Sequence, residues 1–275
     1  MKIITKILSL FGYLLSLVAK AFELLFVLFQ KILRSYPRSS GAFLTAVMIF
    51  LSLTFLKKEK EPEEIVVEVI DESSNFGIDI SQYQGVIDWD KVDQSKHPIK
   101  FVIIRSTAGK DRQDTRYWQN LEAARAHGYK VGTYHYYDPN ENSTQQARNF
   151  IANASVRSGD FVPIVDIERP PREDVQNFDR LRDGLRNYLR IIEKHYGVKP
   201  MIYTGLSYYK DNLMAHQFDD YPKWLAAYDP ARREDPVLVA NANLHQFSEQ
   251  VPVEGIEGLV DGNDITKDDT ILTMP

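Results

Sequence analysis

The chain has 275 residues, a formal net charge of −5 and no cysteine. That length suffices for one large core or two modest ones, and the lack of Cys excludes a disulfide framework and thiolate metal sites. The charge is uneven: residues 1–58 carry eight Lys/Arg against one Glu, whereas the remainder carries 25 basic and 37 acidic residues. An acidic globular part argues against nucleic acid as a partner, and the basic, apolar N-terminus suits a membrane surface with anionic lipids.

In chain order, residues 1–38 read as an amphipathic helical segment. At 100° per residue Lys2, Lys6, Lys20, Glu23, Gln30, Lys31 and Arg34 gather on roughly one third of the circumference. The rest is Leu, Ile, Phe, Val and Ala, as expected of a helix lying in a membrane interface. Residues 39–56, centred on "AFLTAVMIFLSLTFL", give 18 positions without a charge. That is near the lower limit for spanning a hydrocarbon core of ~30 Å. The run starts too far from Met1 for a cleaved signal peptide, and no small-x-small site follows it. Six basic residues precede it and three follow, so the positive-inside rule places the N-terminus in the cytoplasm and the globular part on the extracytoplasmic side, periplasmic or extracellular. Residues 57–75 read as a charged linker in which "IVVEVI" could form a short edge strand.

From residue 76 to the end, strand and helix patterns alternate. "FGIDI", "IKFVIIRST", "KVGTYHYY", "FVPIVDIE" and "KPMIYTG" read as strands, with shorter candidates in "YPKWLAAY", "ANLHQFS" and "EGLVDGND". "RYWQNLEAARAHG" reads as a helix ending at Gly128. "NSTQQARNFIANA" is a second, capped by Asn142 or Ser143, and a third runs from about Val175 to Tyr196. About eight strands over about 200 residues favour a closed, TIM-like (β/α) barrel. Helices become scarce after about residue 215, so the last third is expected to depart from the regular form. No Gly-x-Gly-x-x-Gly or P-loop spacing supports nucleotide binding.

In a parallel barrel the functional site lies at the C-terminal ends of the strands. Those ends offer Asp79; Arg105 and Thr107; Tyr134, His135, Tyr136 and Tyr137; Asp166 and Glu168; Tyr203 and Thr204; Trp224 and Tyr228; Gln246; and Asp261 with Asn263. Asp166 and Glu168 share a strand face and rise about 6.6 Å relative to each other. Their carboxyls can stand around 5–7 Å apart, as glycoside hydrolysis requires of its carboxylate pair, and the aromatics suit sugar stacking. Each feature alone has a plainer reading. Asp166 or Glu168 could pair with Arg105, Arg169 or Arg172, Asp79 and Asp261 could be turn residues, and His135 could be a buried, hydrogen-bonded histidine. Their recurrence at successive strand ends is what points to a site.

At this point the residues resemble glycoside hydrolase family 25, the Chalaropsis-type lysozymes. "GIDISQYQGVIDW" resembles that family's opening motif, "FVIIRSTAG" with Asp114 its second strand and loop, and "PIVDIE" its D-x-E signature; "IYTG", "WLAAY", "HQFS" and "VDGND" follow in order over about residues 76–266. The resemblance implies an irregular (β/α) barrel that cleaves the β-1,4 bond between N-acetylmuramic acid and N-acetylglucosamine in peptidoglycan. By motif, Glu168 is the general acid. Asp166 is its partner, either a nucleophile or a group that orients the substrate N-acetyl, and Asp79 and Asp261 tune the charge. Tyr134, Tyr136, Tyr203, Trp224, Tyr228, Gln246 and Arg105 are the candidate substrate-binding residues. No cofactor or metal is expected, and the catalytic domain is expected to be monomeric, with peptidoglycan glycan strands as partner and the membrane held by the N-terminal helices. The chain departs from the family's pattern at Ala108, where an acidic residue is usual, at His245, where Trp is usual, and after Asp264, where an aromatic is usual. These departures keep open a weak or inactive peptidoglycan-binding domain. A metal hydrolase built on His135, Asp79 and Asp166 is the other rival.

Overall fold

The computed structural model describes residues 75–96, 98–172, 177–267 and 269–275. The expected amphipathic and membrane-spanning segments and the "IVVEVI" strand lie outside them. Among the described residues no helix is long and apolar enough to cross a membrane.

Nine strands form one sheet: β1 (Phe76–Ile80), β2 (Phe101–Ala108), β3 (Arg112–Gln113), β4 (Lys130–Tyr136), β5 (Ile164–Asp166), β6 (Met201–Gly205), β7 (Lys223–Ala226), β8 (Leu244–Pro252) and β9 (Leu259–Ile265). Their order is β1-β9-β8-β7-β6-β5-β4-β2-β3, and β1 also pairs with β2, so eight strands close into a barrel and β3 is a short flap on β2. The pairs from β1–β2 through β7–β8 run parallel. Closure is antiparallel on both sides of β9. The cause is chain length. Only six residues separate β8 from β9, whereas a parallel crossover needs a dozen or more. The expected departure from (β/α)₈ regularity is therefore a terminal hairpin.

Outside the barrel lie a short turn of helix, α1 (Trp89–Val92), then α2 (Tyr117–Ala126), α3 (Ser143–Asn153) and α4 (Phe178–Tyr196), with α5 (Leu206–Tyr208, continued by a π turn to Leu213) and α6 (Pro236–Asn241). The Asn142 side chain accepts from the Gln145 N–H at 3.0 Å and so caps α3. Gly128, at φ 81°, follows the end of α2 in the left-handed conformation that glycine adopts most readily. Two apolar layers join helices to sheet. One sets α3 and α4 against Val165, Ile167, Ile202 and Leu225. The other sets α2 and the β8–β9 hairpin against Ile78, Val102 and Ile104.

A third layer fills the barrel, with Phe101, Ile103, Ile164, Met201, Trp224 and Leu244 closed below by Phe161 and Leu272. Gly77 makes room for it, because a Cβ there would stand 2.3 Å from the Phe101 ring. Side chains alternate along a strand, so the next inward position is two residues on. At that step the lining turns polar: Gly77 gives way to Asp79, Ile103 to Arg105, Gly132 to Tyr134, Ile164 to Asp166, Met201 to Tyr203 and Leu244 to Gln246. The strand ends thus form the polar lid of an apolar barrel.

Candidate active site

The polar layer opens into a cleft of about 960 Å³ at the C-terminal ends of the parallel strands. Asp79, Arg105, Tyr134, Tyr136, Asp166, Glu168, Tyr203, Trp224, Tyr228 and Asp261 all line it. Gln246 does not. It is 1% exposed and lies beneath the floor, where its Nε2 donates to Asp79 Oδ2 at 2.8 Å. Its Oε1 accepts from the hydroxyls of Tyr203 and Tyr228, each at 2.7 Å. Asp79 Oδ2 also accepts from Asn263 Nδ2 at 2.8 Å, and Asn263 Oδ1 accepts from Trp224 Nε1 at 2.8 Å. Five strands are tied together through this one buried network, which fixes the floor in a single arrangement.

Asp261 reaches the site by a route the sequence reading misassigned. It does not end a parallel strand. β9 runs the other way, so its first half lies at the mouth, and the register sets Asp261 directly opposite Asp79. The two carboxyls share a hydrogen bond. Burial, followed by the charge of Asp261, holds Asp79 well above the usual carboxylate range. Burial pushes Asp261 up to about 6. Both shifts favour the pair holding a proton rather than two full charges.

A carboxyl whose pKa is raised by folding stabilises the fold below its unfolded pKa and loses that contribution as pH rises through the folded value. Asparagine at position 79 reproduces protonated Asp79, since its oxygen can accept from Gln246 and Asn263 while its amide donates to Asp261. Asp79→Asn is therefore expected to raise Tm at pH 8, by about 2–4 °C for each ~1 kcal/mol relieved in a domain of this size, and to leave it nearly unchanged at pH 4. Equal shifts at both pH values in a thermal melt would show that no proton is held there.

Asp166 is the last residue of β5 and points inward, with Oδ1 buried and lacking a hydrogen-bond partner among the described residues. Burial, then the charges of Glu168 and Asp79, hold it well above the usual range, with Arg105 opposing. Ile167 is buried on the outer face, and its N–H donates to Tyr203 O at 3.0 Å. That anchor turns Glu168 back over the cleft at the exposed rim. Burial raises the Glu168 pKa as well. The two carboxyls therefore differ in setting, one enclosed and one at the edge.

Arg105 is held by Asp114, with Nε to Oδ2 at 3.0 Å. Asp114 also accepts from the Gln82 and Arg116 N–H groups. Above Arg105 lies the Tyr83 ring, 4.8 Å from the guanidinium carbon and 78% exposed. His135 faces outward, away from the cleft. Its Nδ1 meets Thr107 Oγ1 at 2.8 Å, its Nε2 meets Gln146 Oε1 at 3.2 Å, and its ring stacks on Tyr188. Burial lowers its pKa to about 3, and the plainer reading of it as a core histidine holds. Thr204 is likewise buried rather than in the cleft lining. Among the described residues no group of three or more His, Asp or Glu is placed to hold a metal ion. Ala108 lines the cleft, so its departure from the resembled pattern falls within the site. His245 does not line it. Its Nε2 meets Ala227 O at 3.0 Å, and that departure leaves the cleft untouched.

Tyr83, Arg112 and Glu249 also line the cleft, and strand-end reading missed them. Tyr83 sits in a 3₁₀ turn and Arg112 in a two-residue flap, where no periodicity operates. Glu249 follows irregularities in β8 between Gln246 and Val251 that break the two-residue alternation.

A closed barrel with an antiparallel closing strand thus carries a carboxylate-floored cleft at its mouth. The profile of glycosyl hydrolases family 25 matches residues 78–256, and the chain belongs to that family of glycoside hydrolases. YegX of Escherichia coli (strain K12), an uncharacterized protein, is 30% identical over 233 residues, 83% of each chain. The autolytic lysozyme of Clostridium acetobutylicum is 31% identical over 186 residues, 67% of this chain and 54% of that one. Among solved structures, a bacterial lysozyme from Streptomyces coelicolor superposes with a TM-score of 0.63 at 26% identity, over 74% of this chain and 96% of that one.

Proposed function

We propose that the chain is a membrane-anchored muramidase that cleaves the β-1,4 bond between N-acetylmuramic acid and N-acetylglucosamine in peptidoglycan. The observation that carries this reading is the Asp166–Glu168 pair, one carboxyl enclosed and one at the rim, beside a second carboxyl pair formed by Asp79 and Asp261. Similarity to the lysozymes above supports the substrate.

Glu168 is the general acid. A glycan laid across the rim removes water from its carboxyl, which favours the protonated form. That proton passes to the glycosidic oxygen as the bond to the anomeric carbon breaks. Asp166 is a poor nucleophile in this setting, because burial and two neighbouring carboxylates disfavour its anion and no hydrogen bond supports Oδ1. We assign it instead to the substrate's acetamide. On glycan binding the proton held by Asp166 passes to Glu168, and the Asp166 anion then accepts from the acetamide N–H and aligns the acetamide oxygen, which bonds to the anomeric carbon as the bond to the leaving oxygen breaks. Water, deprotonated by Glu168, then opens the cyclised intermediate. Arg105 limits the negative charge at the floor, and Tyr134, Tyr136, Tyr203, Trp224 and Tyr228 supply apolar faces for the sugar rings.

Purified peptidoglycan incubated with the protein should release soluble fragments and new reducing ends, and intact walls after prolonged incubation would refute the activity. Residues 1–56 are assigned to the membrane, with the barrel on the extracytoplasmic side. Protease added to spheroplasts should digest the barrel, and full protection would reverse the topology.

A further inference from the structure

The cleft is acidic along one side and mixed in charge along the other. On one side β8, β9 and β1, contiguous in the sheet, bring Glu249, Asp261 and Asp79. On the other side β2, β4 and β5 are contiguous, and beside Asp166 and Glu168 the segments that follow β2 and β5 bring Arg112 and Arg169. Both guanidinium groups face the cleft and are about half exposed, at 51% and 55%. Their counter-charges lie behind them, outside the lining. Asp138 Oδ2 is 3.1 Å from Arg169 Nη1 and 3.9 Å from Arg112 Nη2. Glu141 Oε1 is 3.1 Å from Arg112 Nη1.

The Arg112 side is built rather than incidental. Asn149, buried on α3, donates to both Gly109 O and Arg112 O, at 2.9 and 3.0 Å, and locks the turn before β3. Glu141 is fixed in turn by the Lys110 N–H. Gly109 suits the turn, because its φ of 56° is one that glycine adopts most readily, and a Cβ there would displace the Arg112 and Glu141 side-chain ends. Two arginines are thus held beside one buried carboxylate, half exposed and lining the cleft. A guanidinium presents a planar fork that matches a carboxylate. A neutral glycan needs no such wall, whereas a muramic acid unit carries carboxylates on its 3-O-lactyl substituent.

We infer that Arg112 and Arg169 form a carboxylate subsite that selects and orients the anionic substituent of the muramic acid unit. This rests on the muramidase reading. The carboxylate could belong to the stem peptide or, on peptide-free strands, to the lactyl group itself. The opposed acidic wall repels the same substituent, so a strand bound in reverse is disfavoured.

The test is a titration of full-length Glu168→Gln protein with four ligands of equal glycan length. These are a muropeptide with free stem carboxylates, the same compound fully amidated, the peptide-free unit with its lactyl carboxylate, and a neutral N-acetylglucosamine oligomer. Free-carboxylate muropeptide is expected to bind about tenfold more tightly than its amidated form. Arg112→Gln or Arg169→Gln should collapse that ratio toward one, while Arg169→Lys keeps part of it. An Arg-dependent preference for the peptide-free unit over the neutral oligomer assigns the lactyl group, and a preference confined to the muropeptide assigns the stem. Melting temperatures are read alongside, and a variant that does not fold is replaced by its Lys counterpart. A ratio near one in the Glu168→Gln protein, or a ratio unmoved by both Gln substitutions, overturns the subsite. The two readings fail separately. Wild-type protein that cuts peptidoglycan without carboxylate preference loses only the subsite, whereas Arg-dependent preference without cutting loses only the hydrolase.

Discussion

Glu168→Gln is expected to lower kcat on peptidoglycan by about 10²–10⁴-fold, the range general acid catalysis supplies. Gln keeps the shape and the hydrogen-bonding reach of the side chain but carries no transferable proton. Glu168 is exposed at the rim, and the barrel core passes beneath it through Asp166 and Ile167. The fold should therefore be intact, with Tm within about 1–2 °C of wild type, since exposed substitutions seldom cost more than ~0.5 kcal/mol. KM should change little, because the missing interaction is formed in the transition state. Glu168 also sets the basic side of the pH profile. Partial desolvation of its carboxyl by the cleft wall raises its pKa, so activity should fall as rising pH removes the acid form. A variant with normal turnover and an unaltered profile would remove Glu168 from the mechanism.

Asp166→Asn is expected to lower kcat by a similar order, about 10²–10³-fold, for a different reason. Asparagine resembles the protonated form that burial and the charges of Glu168 and Asp79 already favour, so the variant should fold. It should even gain stability at pH 8, where wild type bears the cost of a carboxyl with a raised pKa. It cannot become the anion that accepts the acetamide N–H. If Asp166 acts on the acetamide, a thiazoline analogue of the cyclised intermediate should inhibit wild type, bind the variant at least tenfold more weakly, and leave no covalent sugar on the protein. A sugar ester trapped on Asp166 and detected by mass would make it the nucleophile instead. Loss of the folded state in Asp166→Asn would mean that the carboxylate, not the acid, is the native form.

The carboxylate floor was legible because parallel strands repeat one plan. At the ends of β1, β2, β4, β5 and β6 the last step along the inward face brings in a polar group, and that two-residue period survives in a linear reading for Asp79, Arg105, Tyr134, Asp166 and Tyr203. Three things did not survive. Strand direction is set by loop length, and six residues between β8 and β9 forced the hairpin that brings Asp261 in from the beginning of its strand. Depth is set by the layers above and below, so Gln246, which falls on the right face, lies under the floor as a brace for Asp79, Tyr203 and Tyr228. Residues on turns carry no period at all, which hid Tyr83 and Arg112. The apolar run from Phe161 illustrates the same limit. It suggests one long strand, yet only Ile164–Asp166 is ladder. Phe161 instead pairs with Thr273, and the Val162 N–H with Leu272 O, from the far end of the chain.

The floor draws its hydrogen bonds from within, since Asp79 accepts from Gln246 and Asn263 rather than from Glu168. Glu168 is left to respond to the substrate that covers it.

The central claim is the bond that is cut, and the identity of the new chain ends tests it most directly. Purified glycan strands digested by the full-length protein, reduced with borohydride and analysed by mass should carry reduced N-acetylmuramic acid at every new terminus. Reduced N-acetylglucosamine at those termini would contradict the account.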